Sequence, residues 1–207
     1  EATGARGIVV APMDHQSGCS HQATLAGPIV VEKQGPNRYA VGGTPTDCVR
    51  IALKHIAPEA ELVLSGINAG GNLGADIYLS GTVAAAREAT FHGVRAVALS
   101  QYLRRDVPLD WAVSGRRAHH ALATVLAHDW ETGSFWNVNL PAVPAEHETH
   151  PELVHCDACR APLPVLFETR EGAYHYVGGT YDRRERTPGA DVDVCFRGNI
   201  SISRLPL

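Results

Sequence analysis

The chain has 207 residues, 44% of them hydrophobic and 19% charged, a balance that suits one globular domain with a single core. A net charge of -4 without any basic run excludes the footprint of a nucleic-acid binder, and no apolar run approaches the ~20 residues a membrane span requires. Five cysteines are too sparse for a disulfide scaffold and no signal-peptide pattern is visible, so a reducing cytoplasm is the expected location.

Gly7 to Ala11 is a β-branched run without polar alternation, read as a strand covered on both faces. Pro12 ends it, and a polar loop follows through Asp14, Ser17, Gly18, Cys19 and His21. Thr24 to Val31 and Tyr39 to Val41 read as strands of a hairpin around Gly35-Pro36-Asn37. Thr44-Pro45-Thr46-Asp47 is a helix start: Thr44 caps, Pro45 suits the first turn, and Asp47 favours the positive end of the dipole. That helix carries Val49, Ile51, Leu53 and Ile56 and stops before Pro58.

Leu62 to Leu64 is a buried strand that opens into a loop of Gly, Asn and Ser, from Ser65 to Gly74. A helix from Ser80 to His92 and a strand from Val94 to Leu99 follow. Such strand-loop-helix-strand alternation implies parallel strands with right-handed crossovers. A further helix spans about Leu109 to His128, and Phe135 to Leu140 is the next strand, stopped by Pro141 and Pro144. Beyond it lie short strand candidates at Leu153–His155, Leu163–Glu168, Tyr174–Val177 and Ile200–Leu205. The whole reads as one α/β domain over 1–207. Its core, to about residue 140, is a Rossmann-like, mainly parallel sheet with flanking helices; a small antiparallel β extension and a C-terminal strand occupy about 141–207.

Ligands collect at the carboxyl ends of parallel strands, so the loops after the first strand and after Leu64 are expected to open on one edge. That placement brings Ser17 near Asn68 and Asn72. Neutral oxygens of this type suit Mg²⁺ or Mn²⁺, but such a site also needs carboxylates. Ser80-Gly81-Thr82 offers two hydroxyls and unpaired N–H groups to a phosphate. Each signal has a structural alternative: a plain turn at Ser17-Gly18, an Asn-Gly turn at Asn68 and Asn72, and an ordinary cap at Ser80.

The order of these motifs is more specific than any one of them. Ala11-Pro12 with Ser17-Gly18-Cys19-Ser20-His21 comes first, and Gly43-Thr44-Pro45-Thr46-Asp47-Cys48-Val49 second. Ser65-Gly66-Ile67-Asn68-Ala69-Gly70 with Asn72-Leu73-Gly74 is next, then Tyr78 with Ser80-Gly81-Thr82-Val83-Ala84-Ala85-Ala86 and Glu88. Gly189-Ala190-Asp191 and Gly198-Asn199-Ile200-Ser201-Ile202 close the series more loosely. This series resembles the SurE family of metal-dependent phosphatases acting on nucleoside monophosphates. The resemblance implies that Ser17 and Asn68 are metal ligands and that Asn72, Ser80, Gly81 and Thr82 hold phosphate. It also implies a divalent cofactor, Mg²⁺ or Mn²⁺, a 5′- or 3′-nucleotide as substrate, and a homodimer or homotetramer.

The sequence departs from the family where it matters chemically. The Asn-Asp-Asp-Gly motif, whose paired aspartates supply the family's metal carboxylates, is absent, and neither Asp14 nor Asp76 replaces it by motif order. The expectation is therefore a nucleotidase whose turnover is impaired, with a non-catalytic nucleotide- or phosphate-binding protein as the rival.

Other features are weaker. Cys156-Asp157-Ala158-Cys159 beside His155 is half of a zinc site, read as unpaired thiols. His119, His120 and His128 are expected to face solvent. The Gly66–Gly74 spacing is not a dinucleotide fingerprint. Arg183, Arg184 and Arg186 are read as a solvated basic loop.

Overall fold

A computed structural model describes residues 6–144, 151–177 and 184–207. Its main sheet has the order β4-β5-β6-β10-β7. Strands β4 (Leu62–Ala69), β5 (Arg95–Gln101) and β6 (Ser134–Leu140) run parallel, as the alternation predicts. Strand β10 (Ile200–Pro206) lies antiparallel to β6, and β7 (Leu153–His155) lies parallel to β10.

Strand β5 shows why the sheet is covered on both faces. Ala96 and Ala98 point into a cluster with Val83, Ala86 and Ala89 of helix α2 (Gly81–Phe91) and Val49 of helix α1 (Pro45–Ile51). Val97 and Leu99 point the other way, against Ala118, Ala121 and Val125 of helix α3 (Trp111–Ala127). Consecutive apolar residues therefore both find cores, as the period of a strand requires. Alanines on the contact faces of β5 and α2 bring helix and sheet close; Val83, Ala86 and Ala89 are fully buried.

Several sequence expectations need correction. Strand β1 (Val9–Pro12) is not in the main sheet and is not covered on both faces: Val9 is 51% exposed. It pairs parallel with β3 (Arg38–Val41), which pairs antiparallel with β2 (Val31–Gly35) in a separate three-stranded sheet. The β-branched run Ile8-Val9-Val10 reports strand propensity, and carries no information on how many faces are covered. A hairpin forms around the expected turn, but its first strand is Val31–Gly35 and not Thr24–Val31, with which it shares one residue; upstream, Thr24 gives its backbone N–H to the Asp47 carboxylate.

Strands β7 and β10 complete the main sheet instead of forming an extension. The antiparallel extension is the hairpin of β8 (Phe167–Arg170) and β9 (Ala173–Tyr176), every residue of which is exposed. Helix α1 continues into a π-helical turn, Ala52–Ile56, and a short helix α4 (Asp191–Phe196) precedes β10. Sequence reading did not foresee α4. No helix among the described residues is long and apolar enough to cross a membrane.

Candidate functional site

The candidate side chains fall into two groups. The first is the loop after β1, which is fastened at three points. At its far end, Asp47 accepts from the Thr24 N–H at 3.0 Å, the Thr24 hydroxyl at 2.8 Å and the Thr44 N–H at 2.9 Å. Thr44 caps α1 in return, completing the predicted capping box, and its hydroxyl donates to Gln22 O at 2.6 Å. Burial alone would raise the Asp47 carboxyl, but these hydrogen bonds outweigh it and hold the group below the usual carboxylate value.

In the middle of the loop, Ser20 donates from its N–H to Leu79 O at 3.0 Å and from its hydroxyl to Tyr78 O at 2.6 Å. The third fastening is electrostatic. His21 meets Glu88 at 2.8 Å, while Arg50 of α1 and His92 meet the other Glu88 oxygen at 2.5 and 3.3 Å. Glu88 is 4% exposed. Burial would raise its pKa, yet the bonds from Arg50 and His21 prevail and lower it, so a carboxylate holds loop, α1 and α2 together.

This fastening seats the loop on the start of α2. A Cβ added at Gly81 would lie 2.7 Å from Cys19 Sγ and 2.9 Å from Pro45 Cγ, so only glycine fits between loop and α1. Ser80 caps α2 by accepting from the Val83 N–H at 3.1 Å. The N–H groups of Gly81 and Thr82 then have no acceptor among the described residues, as at any helix start. Ser17, exposed in the adjoining loop, makes no side-chain hydrogen bond among the described residues.

The second group is the glycine loop, whose beginning is the last half of β4. Gly66 approaches β5 so closely that a Cβ would lie 2.2 Å from Leu99 O, and its φ of 122° suits glycine alone. Asn68 turns Nδ2 inward to Gly70 O at 2.8 Å, which leaves Oδ1 as the available acceptor. The Gly70 N–H donates to Gln101 O at 3.0 Å.

Asn72 is buried and held from three sides. Its Nδ2 donates to Ser100 Oγ at 2.6 Å, its N–H donates to Asn139 Oδ1 at 2.8 Å, and its carbonyl accepts from Asn137 and Asn139. Gly74 N–H donates to Asp191 at 2.8 Å, and the same carboxylate accepts from the Cys159 and Val192 N–H groups at 2.7 Å each. Arg184 donates to Leu73 O at 2.8 Å and pairs with Asp76 at 2.6 Å.

The structure thus unites the Ser17 loop with Ser80, Gly81 and Thr82, and Asn68 with Asn72. No hydrogen bond among the described residues joins Asn68 to Ser17. The two loops do not leave neighbouring strands of one sheet, contrary to expectation, because β1 and β4 belong to different sheets.

Arg184 also corrects the sequence reading. It is 4% exposed and engages Leu73 and Asp76, whereas a solvated loop was expected; Arg183 lies outside the described residues. Asn137, Asn139 and Asp191 were missed as supports of the glycine loop. A signal existed for the asparagines: two polar residues at i and i+2 on an otherwise apolar strand share one face. Asp191 stood in the closing Gly189-Ala190-Asp191 element of the motif series, but its partners Gly74 and Cys159 lie far away in sequence and gave no sign of its role.

As metal ligands, Ser17 Oγ and Asn68 Oδ1 are hard oxygens suited in kind to Mg²⁺ or Mn²⁺. They are neutral, and among the described residues no group of three or more His, Cys, Asp or Glu gathers for a metal. Cys156 and Cys159 are free thiols, and His119, His120 and His128 are exposed, as expected.

Comparison with known proteins gives this geometry a context. Residues 1–160 match the family described as Survival protein SurE. A protein named putative 5′-nucleotidase from Nostoc sp. (strain PCC 7120) is 50% identical over 198 residues, covering 96% of this chain and 87% of the relative. The 5′-nucleotidase SurE of Paramagnetospirillum magneticum is 38% identical over 201 residues, covering 95% and 77%. Among solved structures, the SurE protein of Aquifex aeolicus superimposes with a TM-score of 0.81 at 27% identity, covering 99% of this chain and 84% of that one.

Proposed function

The chain belongs to the SurE family, and from that premise we propose that it is a phosphoric monoester hydrolase of the 5′-nucleotidase type, acting on a nucleoside monophosphate with a divalent cation, Mg²⁺ or Mn²⁺. The observation that carries the reading is the start of α2. The unpaired Gly81 and Thr82 N–H groups and the Thr82 hydroxyl stand at the positive end of the helix dipole, with the Ser17 loop fastened beside them. These groups bind phosphate oxygens; Asn72, which the family resemblance also assigns to phosphate, has its Nδ2 on Ser100 and fixes the glycine loop. Ser17 Oγ and Asn68 Oδ1 are the groups that would hold the cation. When bound, the cation supplies Lewis-acid polarisation of a phosphoryl oxygen.

Calorimetry of the 207-residue chain with AMP tests this. AMP is expected to bind more tightly with Mn²⁺ present, and Thr82→Val to weaken that binding roughly tenfold through loss of a charge-assisted hydrogen bond. Equal binding by the variant would remove the α2 start from the site.

The charge balance favours a second consequence. Two neutral oxygens offset little of the dehydration cost of a divalent cation. The 207 residues are therefore expected to bind Mn²⁺ weakly and to release phosphate from AMP slowly. Vigorous Mn²⁺-dependent hydrolysis by this chain contradicts that. AMP binding that is indifferent to Mn²⁺, without any turnover, instead supports a non-catalytic nucleotide-binding protein.

A further inference from the structure

Arg117 is a buried cation that meets no anion among the described residues. It sits on the second turn of α3, is 9% exposed, and pairs with no carboxylate among the described residues. Its acceptors are main-chain carbonyls: Nη1 donates to Pro141 O at 3.2 Å and Val143 O at 3.3 Å, and Nη2 to Val143 O at 3.2 Å. A guanidinium carries five N–H donors, so this set leaves part of the fork unused. Burial lowers its pKa, as expected for a charge removed from water without a counter-ion.

Arg117 lines a cavity of about 250 Å³ at the carboxyl ends of β5 and β6. Gln101 and Ser114 line it beside Arg117 and are already committed. Gln101 Nε2 donates to the carbonyls of Tyr102, Leu140 and Pro141, and Ser114 Oγ donates to Gln101 Oε1 at 2.9 Å. Much of the remaining wall is apolar, including Val107, Leu109 and Val113. Asp110, at the rim, caps α3 by accepting from the Ala112 and Val113 N–H groups.

From this geometry we infer that the cavity is a binding site for a small organic monocarboxylate, its carboxylate on Arg117 and its hydrocarbon body against Val107, Leu109 and Val113. The volume holds about eight waters, at roughly 30 Å³ each, so the guest is a short aliphatic or single-ring acid. A monoanion fits better than a phosphate dianion, because one guanidinium faces it and the Asp110 carboxylate shares the lining. The site is separate from the α2 start and does not depend on the hydrolase reading.

The test is calorimetric titration of the full chain with butyrate and benzoate, against butyramide and inorganic phosphate. At least one acid is expected to bind saturably, butyramide not at all, and phosphate more weakly than that acid. Arg117→Met removes the charge and is expected to weaken acid binding at least roughly tenfold. Val113→Phe keeps Arg117 but fills the cavity and is expected to do the same, so the site is still read if Arg117→Met fails to fold. Absence of saturable acid binding by the native chain overturns the assignment. So does binding unaffected by either variant that folds, equal binding of butyramide, or tighter binding of phosphate.

Discussion

Glu88 shows how one side chain governs the position of a distant loop. Its two oxygens are divided, His21 on one and Arg50 with His92 on the other, so neutralising it weakens one of the three fastenings of the Ser17 loop together with the link between α1 and α2. Glu88→Gln is expected to destabilise the protein by about 1–2 kcal/mol at neutral pH, because Glu88 is buried while Arg50 and the two histidines keep contact with water. The folded pKa of Glu88 lies below its unfolded value. The native state therefore binds fewer protons, and its contribution is complete above the ordinary glutamate value of about 4.3 and fades as pH falls through the lowered one. Urea melts of the two proteins should differ most near neutrality and converge in acid. A constant gap down to the acid transition would show that the charge is not the cause.

At the level of elements, the clearest case is the start of α1. Its capping box was legible because Thr44 and Asp47 are neighbours in sequence, and the structure adds only that the same hydroxyl reaches Gln22 O. Thr44→Ala loses both bonds and is expected to cost about 2 kcal/mol, the upper end for a cap, seen as a lower denaturation midpoint with an unchanged slope. The α2 cap, the turn at Gly35-Pro36-Asn37 and the parallel order of β4, β5 and β6 were legible for the same reason: turn chemistry and periodicity are local. What escaped is what local pattern does not encode. The assignment of β1 to a separate sheet, the insertion of β10 between β6 and β7, and the burial of Arg184 all depend on partners that lie far along the chain. Of the candidate site, the motif residues were readable, but not which of them Asn137, Asn139 and Asp191 would hold, since those partners are distant in sequence.

For the molecule as a whole, two regions of the chain meet at the glycine loop, and their separation has a kinetic meaning. Asp191 reaches Gly74 across 117 positions and Arg184 reaches Asp76 across 108. Contacts of such range carry a large loop-closure entropy and form late, after local helices and hairpins. Pulse-labelled hydrogen exchange during refolding is expected to protect the Gly81–Phe91 helix before the Gly74 amide; simultaneous protection would argue against this order. On a ribosome the same arithmetic is stricter still. The glycine loop in the first half of the chain waits, unlatched, until the residues near position 191 have been synthesised and can reach the Gly74 amide.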